Sequence, residues 1–253
     1  MSDNPQETAE GLVDFGFRRV PREAKPRLVR SVFARVAERY DLMNDLMSLG
    51  IHRIWKRIFI ARLRPRPGVR LLDLAGGSGD ISFGWLAAGG GAVVLSDVNP
   101  HMIGVARRRA RERGFGRGLS FVVSDAERLA FPDASFDRVS IAFGLRNCTD
   151  KDAVLAEARR VLKPGGTFAC LEFSRFQIAA LAPLYDAWSF RVLPRLGALV
   201  AHDAESYQYL AESIRTFPDQ ETLAAMMRKA GFGRVTYQNL SGGIVAIHEG
   251  VRL

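Results

Sequence analysis

The run Leu71-Leu72-Asp73-Leu74-Ala75-Gly76-Gly77-Ser78-Gly79-Asp80 joins an apolar segment to a glycine-rich turn flanked by two carboxylates. Glycine reaches positive φ without a Cβ penalty, so such a turn can be tight and its backbone can approach a ligand closely. Asp97 follows about twenty residues later, and Asp125 closes a third apolar run. In open α/β sheets these positions lie outside the carboxyl ends of strands, where a carboxylate can accept hydrogen bonds from both hydroxyls of a ribose. Asp125 has the reach for an adenine edge. The chemistry expected is recognition of a nucleoside-bearing cofactor. The string Gly77-Ser78-Gly79-Asp80-Ile81-Ser82 nearly spells a dinucleotide fingerprint, with Ser82 in place of its last glycine. A pyrophosphate needs a helix N-terminus free of negative charge, and Asp80 stands there. Asp73 and Asp80 instead suit the cationic sulfonium and amino group of S-adenosylmethionine. That cofactor is expected against Asp73, Gly77, Gly79, Asp97 and Asp125, and a dinucleotide-binding protein is the alternative.

The elements that must position this loop follow from periodicity. Short apolar runs predict strands at Val69–Leu74, Ala92–Ser96, Leu119–Ser124, Phe136–Ala142, Thr167–Phe173, Arg234–Asn239 and Ile244–His248. Helical stretches separate them at Asp80–Ala88, Pro100–Arg113, Lys151–Leu162 and Asp219–Ala230, with Lys163-Pro164-Gly165-Gly166 as a helix stop. Strands alternating with helices predict an α/β fold, a doubly wound and mostly parallel seven-stranded sheet. Residues 1–25 read as a flexible tail, and residues 26–66 as N-terminal helices. In the first of these Val29, Val32, Phe33, Val36 and Tyr40 share a face; Ile51, Ile54, Trp55, Ile58 and Phe59 form the stripe of the second. Residues 174–216 are too long for a connection and read as a helical insert over the sheet. The whole of 1–253 is expected to be one domain.

A formal charge of +9 favours an anionic partner, with a plain solvated basic surface as the alternative. Residues 1–10 are polar and acidic rather than signal-like, and no run of 18 apolar residues occurs. A cytoplasmic protein, peripheral at the inner face of the membrane, is expected. Cys148 and Cys170 lie in apolar stretches, and neither they nor the four histidines show ligand spacing, so no metal is expected.

Several strings resemble the UbiE family of ubiquinone/menaquinone biosynthesis C-methyltransferases. The most specific are Tyr40-Asp41-Leu42-Met43-Asn44-Asp45, Phe143-Gly144-Leu145-Arg146-Asn147 and Glu212-Ser213-Ile214-Arg215, and the likeness runs from about Phe15 to the C-terminus. The resemblance implies a class I methyltransferase fold and methyl transfer from S-adenosylmethionine to a ring carbon of a polyprenylated quinol. It places donor contacts on Ser78, Asp97, Asp125 and Ala126. Two departures are visible. Ala75 replaces the first glycine of the usual loop, and Ala142 stands where serine is frequent, so a contact at Ala142 must come from its backbone.

Attack by a ring carbon requires an oriented, deprotonated quinol oxygen. Arg146 and Asn147 follow the fourth strand at the carboxyl edge, where Arg146 is expected to hold a phenolate and Asn147 to orient it. Candidate bases are His202, Asp203 and Tyr207 of the insert and Glu172 at the end of the fifth strand. Partners are the quinol, a membrane surface or other quinone-biosynthesis proteins, and no nucleic acid; a homo-oligomer is compatible with the sequence. A methyltransferase acting on RNA or another small molecule is the runner-up, kept open by the charge.

Overall fold

The computed structural model describes residues 11–36, 45, 48, 50–178 and 204–253. The chain opens with a hairpin of β1 (Leu12–Phe15) and β2 (Arg18–Pro21), which pair antiparallel around a turn in which Gly16 takes φ +62°. The flexible tail expected over residues 1–25 is therefore ordered from residue 11 on. The four-residue strands are too short to show alternation, and the hairpin is held from afar. Phe15 stacks on Tyr209 at 4.3 Å, and the Phe17 amide donates to Glu212 Oε2 at 3.0 Å. Residues 1–10 lie outside the described part.

Two helices follow, α1 (Lys25–Val36) and α2 (His52–Leu63). The main sheet contains β3 (Leu71–Leu74), β4 (Val93–Asp97), β5 (Leu119–Val123), β6 (Phe136–Ala142), β7 (Leu162–Phe173), β8 (Phe232–Leu240) and β9 (Val245–Arg252). Their order is β5-β4-β3-β6-β7-β9-β8, all parallel except β9. This is the expected doubly wound sheet. All four residues of β3 are buried, as a central parallel strand covered on both faces requires. In β7, Leu162 already pairs with Phe136; Lys163–Gly166 then bulge out before Thr167 pairs with Arg138.

Between strands run α3 (Asp80–Ala87), α4 (Pro100–Glu112), α5 (Lys151–Val161), α6 (Ala204–Thr216) and α7 (Gln220–Lys229). On one face α5 and α7 bury Val154, Leu155, Ala158, Leu223 and Met227 against Leu72, Leu74 and Phe168. On the other, α2 and α3 bury Trp55, Phe59, Leu63, Ile81 and Trp85 against Leu71, Ala169 and Ile247. Strand side chains alternate between faces, so Asp73 shares the side of Leu71. Of the insert, residues 174–178 form no regular element and 204–216 are helical, and residues 179–203 lie outside the described residues.

Candidate active site at the carboxyl edge of the sheet

Two joined clefts open where β3, β4, β5 and β6 end. The larger encloses about 870 Å³ between Asp97, the Asp125-Ala126 turn and Asn147, with Pro26, Val29 and Arg30 of α1 forming a further wall. The smaller is lined by Asp73, Ser78, Asp80 and Ala142. Ala75, Gly77 and Phe143 line both. Strand order reverses between β3 and β6, and open α/β sheets leave their ligand crevice at that point.

The loop reaches this shape through left-handed backbone. Gly77 has φ +54° and Gly79, the N-cap of α3, φ +95°. Ala75 and Phe143 adopt φ +48° and +56° without being glycine, a conformation costing on the order of 1–3 kcal/mol each and concentrated at functional sites. Across from Ala75, a Cβ on Gly144 would come within 2.6 Å of the alanine methyl, so only glycine lets the two loops approach.

Asp97 is buried at the end of β4. Its Oδ2 accepts from the Gly77 amide at 3.0 Å and its Oδ1 from the Asn99 amide at 2.8 Å. Burial raises its pKa, against the pull of those two amides. Each carboxylate oxygen keeps a second lone-pair site for a ligand. Asp125 Oδ1 accepts from the Glu127 amide at 2.9 Å. Asp73 takes hydroxyl donors from Ser82 at 2.7 Å and Ser140 at 2.8 Å, and burial pushes its pKa up to about 6.

Asp80 departs from expectation. Lys56 Nζ lies 2.7 Å and Arg109 Nη2 3.1 Å from its carboxylate oxygens. Burial alone would raise its pKa, but Lys56, then Arg109 and Arg113, outweigh it and hold the group below its ordinary value. Its charge is thus neutralised by protein cations rather than offered to a ligand.

Arg146 also departs from expectation. Its guanidinium is buried beneath the loop, donating to Glu172 Oε1 at 2.9 Å and to the Phe143 carbonyl at 2.5 Å, and it lies 5.4 Å from the Phe173 ring centre. Glu172 accepts as well from the amides of Arg146 at 3.2 Å and Phe173 at 2.9 Å. Neither group lines the clefts. They tie the Phe-Gly-Leu-Arg-Asn loop to the end of β7. A guanidinium and a carboxylate brought to neighbouring strand ends away from water satisfy each other first.

Asn147 does line the larger cleft, and its Oδ1 accepts from the Tyr209 hydroxyl at 3.1 Å. Burial raises the Tyr209 pKa well above its ordinary value, so the hydroxyl stays protonated and a donor. Tyr209 sits in the run Ser206-Tyr207-Gln208-Tyr209-Leu210, where nothing in the sequence points to its role. Tyr207 is buried within α6. His202 and Asp203 lie outside the described residues. The Cys148 thiol, pushed up to about 12 by burial and then by Glu127, stays protonated. Of the cleft wall, Val29 read in sequence as one position of a helix face, and nothing in the sequence singled out Met102. Among the described residues no trio of His, Cys, Asp or Glu is disposed to hold a metal, and no helix is long and apolar enough to cross a membrane.

The model of the ubiE/COQ5 methyltransferase family matches residues 20–252. The chain belongs to this family. It is 66% identical to ubiquinone/menaquinone biosynthesis C-methyltransferase UbiE of Acidiphilium cryptum (strain JF-5) over 253 residues, covering both chains fully. The protein of that name from Serratia proteamaculans (strain 568) is 54% identical over 254 residues, again covering both fully. A Thermotoga maritima S-adenosylmethionine-dependent methyltransferase superposes with TM-score 0.64 at 19% identity, over 89% of this chain and all of that one. The [4+2]-cyclase SpnF superposes with TM-score 0.56 at 24% identity, over 74% of this chain and 60% of that one. These folds are shared across different chemistries, so the fold alone does not assign a reaction.

As a ubiE/COQ5 methyltransferase the chain uses S-adenosylmethionine, and its clefts fit that group. Asp97 retains acceptor sites beside the Gly77 backbone, Met102 and Ala126 supply apolar wall, and Asp73 is a carboxylate without a cation among its bonded partners.

Proposed function

We propose that the chain transfers a methyl group to a ring carbon of a polyprenylated quinol, a 2-polyprenyl-6-methoxy-1,4-benzoquinol, a demethylmenaquinol or both. The observation that carries this reading is the full-length 66% identity to a protein named for that step. Bound S-adenosylmethionine would supply an electrophilic methyl group. Asp97 would hold the ribose diol, and Asp125 with the Ala126 backbone the adenine edge. Gly77, Ser78 and Gly79 would offer backbone to the amino-acid portion, whose ammonium Asp73 would meet; Ala142 would contribute its backbone alone.

On the substrate side the tasks are to orient the ring and stabilise a phenolate oxygen. The Tyr209 hydroxyl occupies Asn147 Oδ1, which leaves the Asn147 amide N–H groups to donate to a quinol oxygen. Arg146 would act as a positioning residue, holding Asn147 through its pair with Glu172. His202 is proposed to take the quinol proton. Contact with a membrane surface, where a polyprenyl substrate resides, is part of the same proposal.

Asp97→Ala is expected to abolish S-adenosylmethionine binding by calorimetry while circular dichroism stays unchanged. A strain without the protein should accumulate the quinol lacking this methyl group, and the variant should fail to restore it. Unchanged affinity in the folded variant would refute the cofactor assignment, and an unaltered quinone profile would refute the substrate.

A further inference from the structure

At the opposite edge of the sheet, where β6 starts and β7 re-enters after its bulge, lies a second concavity of about 680 Å³. Its walls include Arg62 and Arg64 at the end of α2, Arg138 of β6, Thr167 of β7, and Arg234 and Thr236 of β8. The carboxylate lining it, Glu249, is already neutralised: Arg62 Nε donates to it at 2.9 Å, and Arg62 Nη1 reaches Gln238 at 2.9 Å. Arg64, Arg138 and Arg234 have no carboxylate ion pair among the described residues.

Arg138 is half-buried and donates only to main-chain oxygens, those of Leu63 at 3.3 Å and Asp137 at 2.8 Å. Burial, and after it the cations of Arg64 and Arg66, hold its pKa below the ordinary arginine value despite the Asp137 and Glu249 carboxylates. A guanidinium remains charged even so, and this one sits among like charges. Arg64 and Arg234 have φ +54° and +49°, the left-handed region where glycine or asparagine is usual. Arg64 caps α2 at a place where glycine ordinarily ends a helix. Neither side chain donates a hydrogen bond among the described residues, so the strain serves no fold contact of those side chains. Strained backbone of this kind concentrates at ligand sites.

We propose that this concavity binds a phosphate-type oxyanion, carried by an ester or by a lipid headgroup. Arg64, Arg138 and Arg234 would clasp it, with the Thr167 and Thr236 hydroxyls as further donors. Guanidinium forks match phosphate oxygens two at a time, and three arginines without a direct carboxylate ion pair suit a ligand of more than one negative charge.

The test uses the full chain and two probes at low ionic strength: inorganic diphosphate by calorimetry, and phosphatidylglycerol vesicles, with phosphatidylcholine as control, by sedimentation. The double variant Arg64→Gly, Arg234→Gly removes both side chains and relaxes both backbones, so misfolding is not its expected outcome. Its S-adenosylmethionine affinity should equal that of the wild type, which reports an intact fold. Arg138→Gln is a second, independent variant. Each variant should weaken the responding probe about tenfold or more, and added salt should weaken it further. Loss with vesicles identifies a headgroup, and loss with diphosphate alone identifies a free phosphate ester. If neither probe binds, or if neither responds to the variants, the proposal is overturned.

Discussion

Asp73 carries its charge where water does not reach it. Burial raises its pKa from 3.8 to about 6, although Ser82 and Ser140 both donate to it. Between those values the folded chain holds a proton that the unfolded chain has released. The folded state then binds more protons, so stability falls as pH rises through the window and the full cost stands above it. That cost is on the order of 3 kcal/mol. Asp73→Asn keeps the shape and removes the titration. Urea midpoints across the window should slope downward with pH in the wild type and lose that component in the variant; equal slopes would show that Asp73 is not responsible. At this scale the spacing of Asp73, Gly77, Asp97 and Asp125 was legible, because each sits at the end of a strand and strand ends define the crevice. The partners of Arg146 and Asp80 were not. Glu172 and Lys56 are distant in sequence, and which cation meets which carboxylate depends on how helices cross the sheet.

The loop after β6 behaves as an element although it is only a turn, because a buried ion pair clamps it. Removing one partner leaves the other charge uncompensated in the interior, which typically costs about 3–5 kcal/mol. Glu172→Ala should therefore lower the midpoint of thermal unfolding and also slow turnover, since Asn147 loses its anchor. Glu172→Gln, which keeps two acceptor-donor contacts, should recover part of the stability. A Glu172→Ala enzyme as stable as the wild type would remove the clamp from the account. Helices and strands themselves were readable to within a few residues, because their apolar periods are set by burial on one or two faces. The β1–β2 hairpin was not, since its stability comes from Phe15 on Tyr209, nearly two hundred positions away. Trp55 and Phe59 of the α2 stripe are 4% and 0% exposed and belong to the core. An amphipathic stripe looks the same in sequence whether it faces a sheet or a bilayer.

Over the whole molecule the +9 charge needs a place to act. At the start of α2, Ile51 and Ile54 are exposed large apolar residues, with Arg53 and Arg57 exposed beside them. Basic and apolar side chains together bind anionic lipid surfaces, each cation near the surface adding about 1 kcal/mol. The double variant Ile54→Ser, Arg57→Glu should weaken sedimentation with anionic vesicles at low salt. It should slow methylation of a long-chain quinol and spare a short soluble analogue. Equal loss on both substrates would place these residues in the fold rather than at a membrane face.

The position of β9 has a consequence for the order in which the chain is made. The last strand of the sequence, Val245–Arg252, is not at the edge of the sheet; it lies between β7 and β8 and pairs with both. Synthesis proceeds from the amino end, so β8 emerges before the strand that joins it to the sheet exists. Until Val245–Arg252 has emerged, β7 presents an unpaired edge, and β8 has no partner strand in the sheet. The cofactor loops, all on β3 to β6, come from the earlier part of the chain and can close beforehand. The site end of the sheet can thus pair before its far end, which waits for β9.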